Sequence, residues 1–308
     1  MAGASGTIGR AVVRACLADE HRVLAQLRTA PAEPIGELEG AELVTVSLSD
    51  QAAISALLAE HRPDTIISCI ASRSGSPKDA MAVDYEANVA LLKAALASQA
   101  KHFILLSAIC VQRPKLAFQR AKLAFEQELI EASIDHTIIR PTAFFKSLSG
   151  QVEKVARGKP FMMFGDGELT RCKPISDGDL GRFIALAVLD PARRGKVLPI
   201  GGPGPAISPE DQREMLGSIL GKDVPAKYVW PAMLDRIGGV FTFLHSFSPL
   251  GRDWLAEKAE YMRIAKYYAT ESMLLLDPET GEYSEELTPE FGEDHLSDHY
   301  MELLEARV

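Results

Sequence analysis

Cysteine is scarce in this sequence and scattered. The four residues, Cys16, Cys69, Cys110 and Cys172, lack the short spacing of zinc or iron–sulfur ligands. No metal site is expected, and the thiols read as reduced, mostly buried side chains. Positive charge is also short: 33 Lys and Arg against 42 Asp and Glu leave a net charge of -9. That excludes a broad nucleic-acid surface, though not a local basic patch around a phosphate. No apolar run reaches the ~18 residues of a membrane span, and no signal or transit segment is expected. A cytoplasmic protein without a transmembrane segment is expected. What is present is globular: 47% hydrophobic and 24% charged residues, with material for a sizeable core. A length of 308 residues suits one large domain or two lobes.

The first half alternates between two periodicities. Residues 9–18, 51–60, 83–98 and 119–132 repeat apolar side chains at helical spacing, and Asp50 is placed to cap the second of these helices. Short apolar runs at 22–27, 42–46, 65–70, 102–107 and 136–140 read as strands. Such a β–α series predicts a parallel sheet with helices on both faces, an α/β doubly wound, Rossmann-type fold. After Pro141 the pattern loosens into strands at 162–167 and 197–202, with helices at 179–189 and 208–220. The turn-rich 201–205 marks an expected boundary between a nucleotide domain, 1–205, and a smaller C-terminal substrate lobe, 206–308, to which parts of 142–178 contribute. The stretch 228–273 is rich in aromatic residues and methionine. The acidic tail from Asp277 is expected on the surface.

The sharpest local signal is Gly3-Ala4-Ser5-Gly6-Thr7-Ile8-Gly9. Gly3 permits a tight turn, Gly6 lets the backbone approach a pyrophosphate, and Gly9 lets the following helix pack close to the sheet. The helix start offers N–H groups and partial positive charge to that pyrophosphate. A site for NAD tends to place an acid about 20 residues on, bonded to the ribose 2′-hydroxyl. Here the strand ends in Gln26-Leu27-Arg28 with no acid, and Arg28 presents a permanently charged fork to a 2′-phosphate. The cofactor expected is therefore NADPH. Asp50, Ala71 and Ser72 lie at further strand ends where such a ligand runs. Only Met1 and Ala2 precede Gly3, so the first strand is expected to be largely missing and the chain's start truncated.

Ser107 ends the 102–107 strand, and Lys122 follows in Phe118-Gln119-Arg120-Ala121-Lys122. This arrangement resembles the short-chain dehydrogenase/reductase family, which carries a Ser and a Tyr-x-x-x-Lys helix. Val83-Asp84-Tyr85-Glu86-Ala87-Asn88 is similar to the same superfamily. The tyrosine position is Phe118, which has no proton to give, so the resemblance points to the atypical branch with isoflavone-reductase-like and NmrA-like members. Within that branch the glycine loop, 118–122, 140–146, 172–180 and 269–278 resemble the divinyl chlorophyllide a 8-vinyl-reductases along nearly the whole chain. The last segment lies outside the cofactor domain.

The resemblance implies NADPH-dependent reduction of a tetrapyrrole vinyl group to ethyl in chlorophyll or bacteriochlorophyll biosynthesis. It implies a divinyl chlorophyllide-type partner and a bacterial cytoplasmic location near the photosynthetic membrane, with peripheral membrane contact left open. Lys122 is the candidate catalytic residue, either as proton donor or as the group that orients the nicotinamide ribose while water donates. Gly3, Ser5, Gly6, Thr7, Ile8, Gly9, Arg28, Asp50, Ala71, Ser72, Ser107, Lys122, Pro141 and Thr142 are the expected cofactor residues. Phe144, Phe145 and Lys146 are expected where nicotinamide and substrate meet, with Lys146 or Arg171 facing a propionate. Trp230, Met233, Phe241, Phe243, Phe247, Trp254, Tyr261, Met262, Tyr267 and Tyr268 supply surface for a planar ring. His102 and His245 are the histidines considered for a central magnesium. The rival reading is an NmrA-like NADP(H)-sensing regulator without catalysis; it shares the glycine loop but does not need the 269–278 match.

Overall fold

The β–α alternation of the sequence is present in the computed structural model, which describes residues 1–230, 232–233 and 252–306. In chain order the main elements are α1 (Thr7–Ala18), β1 (Leu24–Leu27), β2 (Glu42–Thr45), α2 (Gln51–His61), β3 (Thr65–Ser68), α3 (Ala87–Ala97), β4 (His102–Leu106), α4 (Ala117–Glu131) and β5 (Asp135–Pro141). There follow β6 (Phe161–Phe164), α5 (Asp177–Leu189), β7 (Lys196–Ile200), α6 (Pro209–Leu220), β8 (Ala226–Val229), α7 (Arg252–Thr270) and α8 (Leu296–Glu305). They fall into two units. Met1–Arg73, Pro77–Pro141 and Asp177–Pro199 form the first; Ser74–Ser76, Thr142–Ser176 and Ile200–Val308 form the second.

In the first unit β1 pairs with β2 in parallel, and β3, β4, β5 and β7 lie side by side in that order, with β3–β4 and β4–β5 parallel. Every residue of β4 is buried, as expected of a parallel strand covered on both faces. Phe103 of β4 meets Phe125 of α4 with ring centroids 5.8 Å apart, in a core completed by Ile54, Leu91, Leu129 and Ile138.

Met1 and Ala2 join the two groups of strands. Gln26 N–H donates to Met1 O at 2.9 Å, Ala2 N–H to Ile67 O at 2.8 Å and Cys69 N–H to Ala2 O at 3.0 Å. These two residues thus stand between β1 and β3. Beside them opens a cavity of about 360 Å³ lined by Val12, Val13, Cys16, Val23, Leu24 and Ile67 among others. The Met1 ammonium donates to Leu24 O at 2.9 Å, and burial pushes its pKa down to about 6.

The helix expected at 83–98 begins earlier and with a wider turn: Ala80–Glu86 is π-helical and runs into α3. Such turns are rare and concentrate at functional sites. His102, considered above for magnesium, is buried in β4. Its Nε2 shares a 2.9 Å hydrogen bond with Thr137, and burial lowers its pKa to about 4. It is a core histidine.

In the second unit β6 pairs with β8 in parallel. β6 ends sooner than the 162–167 expected, because Gly165 and Gly167 turn with φ of 64° and 91°. β8 was not visible in the sequence; Lys227 and Tyr228 are both exposed in it, so its strand alternation is broken. The acidic tail is not confined to the surface, contrary to expectation. Leu296 and Tyr300 of α8 are buried, and Leu303 and Leu304 pack on the same core. Tyr300 donates its hydroxyl to Leu148 O at 3.0 Å. The helical spacing of these apolar residues outweighs the tail's overall charge. Glu290 pairs with the buried Lys173, whose ammonium holds that carboxyl below its usual range. Phe241, Phe243, His245, Phe247 and the side chain of Trp254 lie outside the described residues.

The buried histidine gives a testable outcome. His102 has a folded pKa of about 4 against an ordinary 6.5, so the unfolded chain binds more protons between these values. This contribution to stability is complete above pH 6.5 and is lost as pH falls toward 4. In His102→Gln the slope of melting temperature against pH in that window should be shallower than in the wild type.

Candidate functional site

The glycine loop is shaped by its own backbone. Gly3 has φ of 80° and packs so closely on Cys69 that a Cβ would stand 2.9 Å from the Cys69 carbonyl carbon and oxygen. A Cβ on Gly9 would stand 2.0 Å from Gly3 O, so no side chain fits there. Gly6 donates its N–H to Gly3 O at 3.1 Å, and the first intrahelical bond of α1 runs from Arg10 N–H to Gly6 O at 2.9 Å. Gly6 is the N-cap and no side chain caps the helix. Ser5 and Gly6 are exposed and Thr7 is half-buried. Ile8 is buried, so only its main chain can face a ligand. This geometry fits a pyrophosphate: first-turn N–H groups, helix dipole and bare backbone coincide.

Arg28 directly follows β1 and is exposed, with no ion pair to it among the described residues. Asp50 is occupied as a cap, accepting from Ala53 N–H at 3.0 Å. Ala71 is exposed and Ser72 half-buried in the loop after β3.

Past β3 the structure brings together residues that sequence reasoning did not. Lys122 Nζ lies 2.9 Å from Asp84 Oδ1, with side-chain exposures of 11% and 0%. Ser72 N–H donates to the same oxygen at 3.3 Å. Asp84 Oδ2 is buried and meets no donor among the described residues. It has capacity to accept one more hydrogen bond. Asn88 fixes the turn that carries Asp84: its Nδ2 donates to Asp84 O at 3.1 Å, and its Oδ1 accepts from Ser68 Oγ at 2.6 Å.

Ser107 meets a partner that the sequence does not reveal. It is buried, and its hydroxyl donates to Glu126 of α4. Glu126 also receives Arg140 of β5, through Nη2 and through Nε at 3.3 Å. Glu126 stands one helical turn after Lys122, so α4 carries two buried polar anchors on one side. Phe118, one turn before Lys122, is half-buried. The first unit holds a single tyrosine, Tyr85, whose hydroxyl donates to Glu128, which raises its pKa. Asp84 and Glu126 could have been noticed as acids at otherwise apolar helix positions, but their partners are not visible in sequence.

The remaining expected residues lie at or beyond the end of β5. Pro141 is buried as the last residue of that strand. In the second unit Thr142 is buried, with its hydroxyl donated to Lys173 O. Phe145 is core, stacked against His299 at 5.6 Å, while Phe144 is half-buried and Lys146 exposed. Arg171 donates to Ala206 O at 2.8 Å and lies 3.7 Å from Asp211. Tyr267 is buried; Tyr228, Trp230, Met233, Tyr261 and Tyr268 are exposed. Burial pushes Cys16 up to about 11 and Cys172 up to about 12, so these thiols are poor nucleophiles. Among the described residues no group of three His, Cys, Asp or Glu could hold a metal ion, and no helix is long and apolar enough to cross a membrane.

The role expected for Arg28 is testable in fluorescence titrations. Losing one charge-assisted contact to a 2′-phosphate costs about 1.5–3 kcal/mol. Arg28→Ala should therefore weaken NADPH binding about 10- to 100-fold and leave NADH binding nearly unchanged. Equal loss for both would assign Arg28 a structural role.

Residues 3–191 match the NAD(P)H-binding family. Over 98% of its length the chain is 46% identical to the divinyl chlorophyllide a 8-vinyl-reductase, chloroplastic, of Zea mays, covering 78% of that protein. It is 44% identical to the Arabidopsis thaliana protein of the same name, over 98% of this chain and 75% of that one. Among solved structures, an NADPH-dependent quinone oxidoreductase from Escherichia coli, complexed with NADPH, aligns with a TM-score of 0.70 at 16% identity, covering 98% of each chain. That last likeness shows a shared Rossmann-type fold. With its glycine turn, its NAD(P)H-binding region and identity sustained through the second unit, the chain belongs to the divinyl chlorophyllide a 8-vinyl-reductase family.

Proposed function

We propose that the protein reduces the 8-vinyl group of a divinyl chlorophyllide to ethyl with NADPH. The observation that carries this reading is the identity with named 8-vinyl-reductases across 98% of the chain, which includes the substrate-side unit and the segment 269–278. A regulator that only senses NADP(H) does not need the match at 269–278. A location in a bacterial cytoplasm near the photosynthetic membrane belongs to the same reading, and the chloroplastic relatives are compatible with a photosynthetic setting.

The chemistry suits the residues. NADPH, when bound, supplies a hydride to the terminal vinyl carbon. The first turn of α1 would hold the pyrophosphate and Arg28 the 2′-phosphate. Lys122, half-buried beside Asp84, would serve the cofactor's ribose. Negative charge developing on the substrate spreads into the conjugated macrocycle, so no acid is required at position 118, where Phe stands. Rate then depends chiefly on holding vinyl and nicotinamide in register. A proton completes the ethyl group at the inner carbon, from Lys122 or from water. The exposed Tyr228, Trp230, Tyr261 and Tyr268 offer flat apolar surface of the kind a tetrapyrrole stacks on.

Incubation with NADPH and 3,8-divinyl chlorophyllide should shift the Soret band to the blue as NADPH absorbance falls. No shift with cofactor demonstrably bound would overturn the proposal and favour a regulator.

A further inference from the structure

The source of the proton is a choice between Lys122 and water, and the buried charge beside Lys122 bears on it. Asp84 has no side-chain exposure. Its charge is met by one ammonium at 2.9 Å and one backbone N–H at 3.3 Å, and Oδ2 meets no donor among the described residues. The carboxylate is also held in place. It stands on the π-helical turn Ala80–Glu86, whose main chain is tied through Asn88 to Ser68 at the end of β3.

A group that donates a proton loses its charge. If Lys122 became neutral, Asp84 would remain as an interior carboxylate without a counter-ion, the costly half of a broken buried pair. The pair therefore opposes donation by Lys122 and favours a lysine that stays an ammonium throughout turnover.

Resting on the NADPH-dependent reading above, we infer that Asp84 is a positioning residue that holds Lys122 as a fixed cation, and that water delivers the proton. Lys122 then serves as a charge and hydrogen-bond donor toward the cofactor's ribose. The balance is simple. The terminal carbon gains hydride as the nicotinamide is oxidised. An O–H bond of water breaks as the inner carbon gains its hydrogen, and bulk buffer neutralises the hydroxide.

NADPH affinity, read by fluorescence without any tetrapyrrole, is compared for wild type, Lys122→Arg, Lys122→Met, Asp84→Asn, Asp84→Glu and the Asp84→Asn/Lys122→Met double variant. Lys122→Met and Asp84→Asn should each weaken binding about tenfold, with the double variant no weaker than Lys122→Met. Asp84→Glu should recover much of the loss, and Lys122→Arg should bind within about threefold of wild type. In single turnover with divinyl chlorophyllide, Lys122→Arg should keep at least a tenth of the wild-type rate, because a guanidinium does not give up its proton. Lys122→Arg that binds NADPH normally yet turns over as slowly as Lys122→Met would make Lys122 the donor and overturn the inference. Wild-type affinity in Asp84→Asn would overturn it equally. Should Asp84→Asn not fold, the Lys122→Arg and Lys122→Met pair decides alone. A wild type that binds NADPH but leaves the vinyl group intact defeats the proposed substrate, while the binding arms still decide the role of Asp84.

Discussion

A carbonyl oxygen occupies the place where residue 9 would carry a side chain. Gly3 O would stand 2.0 Å from a Cβ on Gly9, and this contact draws the first turn of α1 down onto the turn that leaves Ala2. A second point of contact fixes the same helix. Gly181 of α5 lies so close that a Cβ there would be 2.7 Å from the Ala11 carbonyl carbon. These two close approaches set where α1 lies and the direction of its N-terminus. The ends of β1 and β3 are placed against that loop, with Arg28 following the first and Cys69 to Ser72 the second. The π-helical turn with Asp84 comes next, and Lys122 meets it from α4. Backbone proximity that only glycine allows is thus the condition for the geometry of the first unit's carboxyl edge.

Much of that edge was legible in the sequence because its signals are local. Glycine at every third position, a mostly apolar strand followed by Arg28, and Asp50 ahead of a helix each depend on neighbours a few residues away. The pairs that organise the interior do not. Lys122 meets Asp84, and Glu126 joins Ser107 to Arg140, across separations that no periodicity records. Ser107 shows the difference. Its position at a strand end is read from neighbouring residues, but only the fold reveals that its hydroxyl meets a buried acid on α4. The tail misled: its many acids hid an apolar stripe of Leu296, Tyr300 and Leu303 that helical spacing brings onto one face. β8 left no trace because two adjacent residues in it are solvent-exposed.

Position 118 is where these observations meet. In the pattern that 107, 118 and 122 resemble, a tyrosine at 118 would give a proton and the lysine would assist it. With phenylalanine there, the pattern has lost its acid and kept its cation. An enzyme that protonates a carbonyl oxygen would lose a positioned general acid by that exchange, since the charge develops on one atom. A vinyl group conjugated to a macrocycle disperses the charge, and its protonation can wait for water. What such a reaction demands is rigid placement of two planar groups. Buried ion pairs add little net stability, but they specify geometry because breaking one is costly. Two of them one turn apart on α4, Lys122 with Asp84 and Glu126 with Arg140, keep that helix from rotating. A scaffold that has exchanged an acid for pinned charges suits a reaction limited by alignment rather than by proton supply.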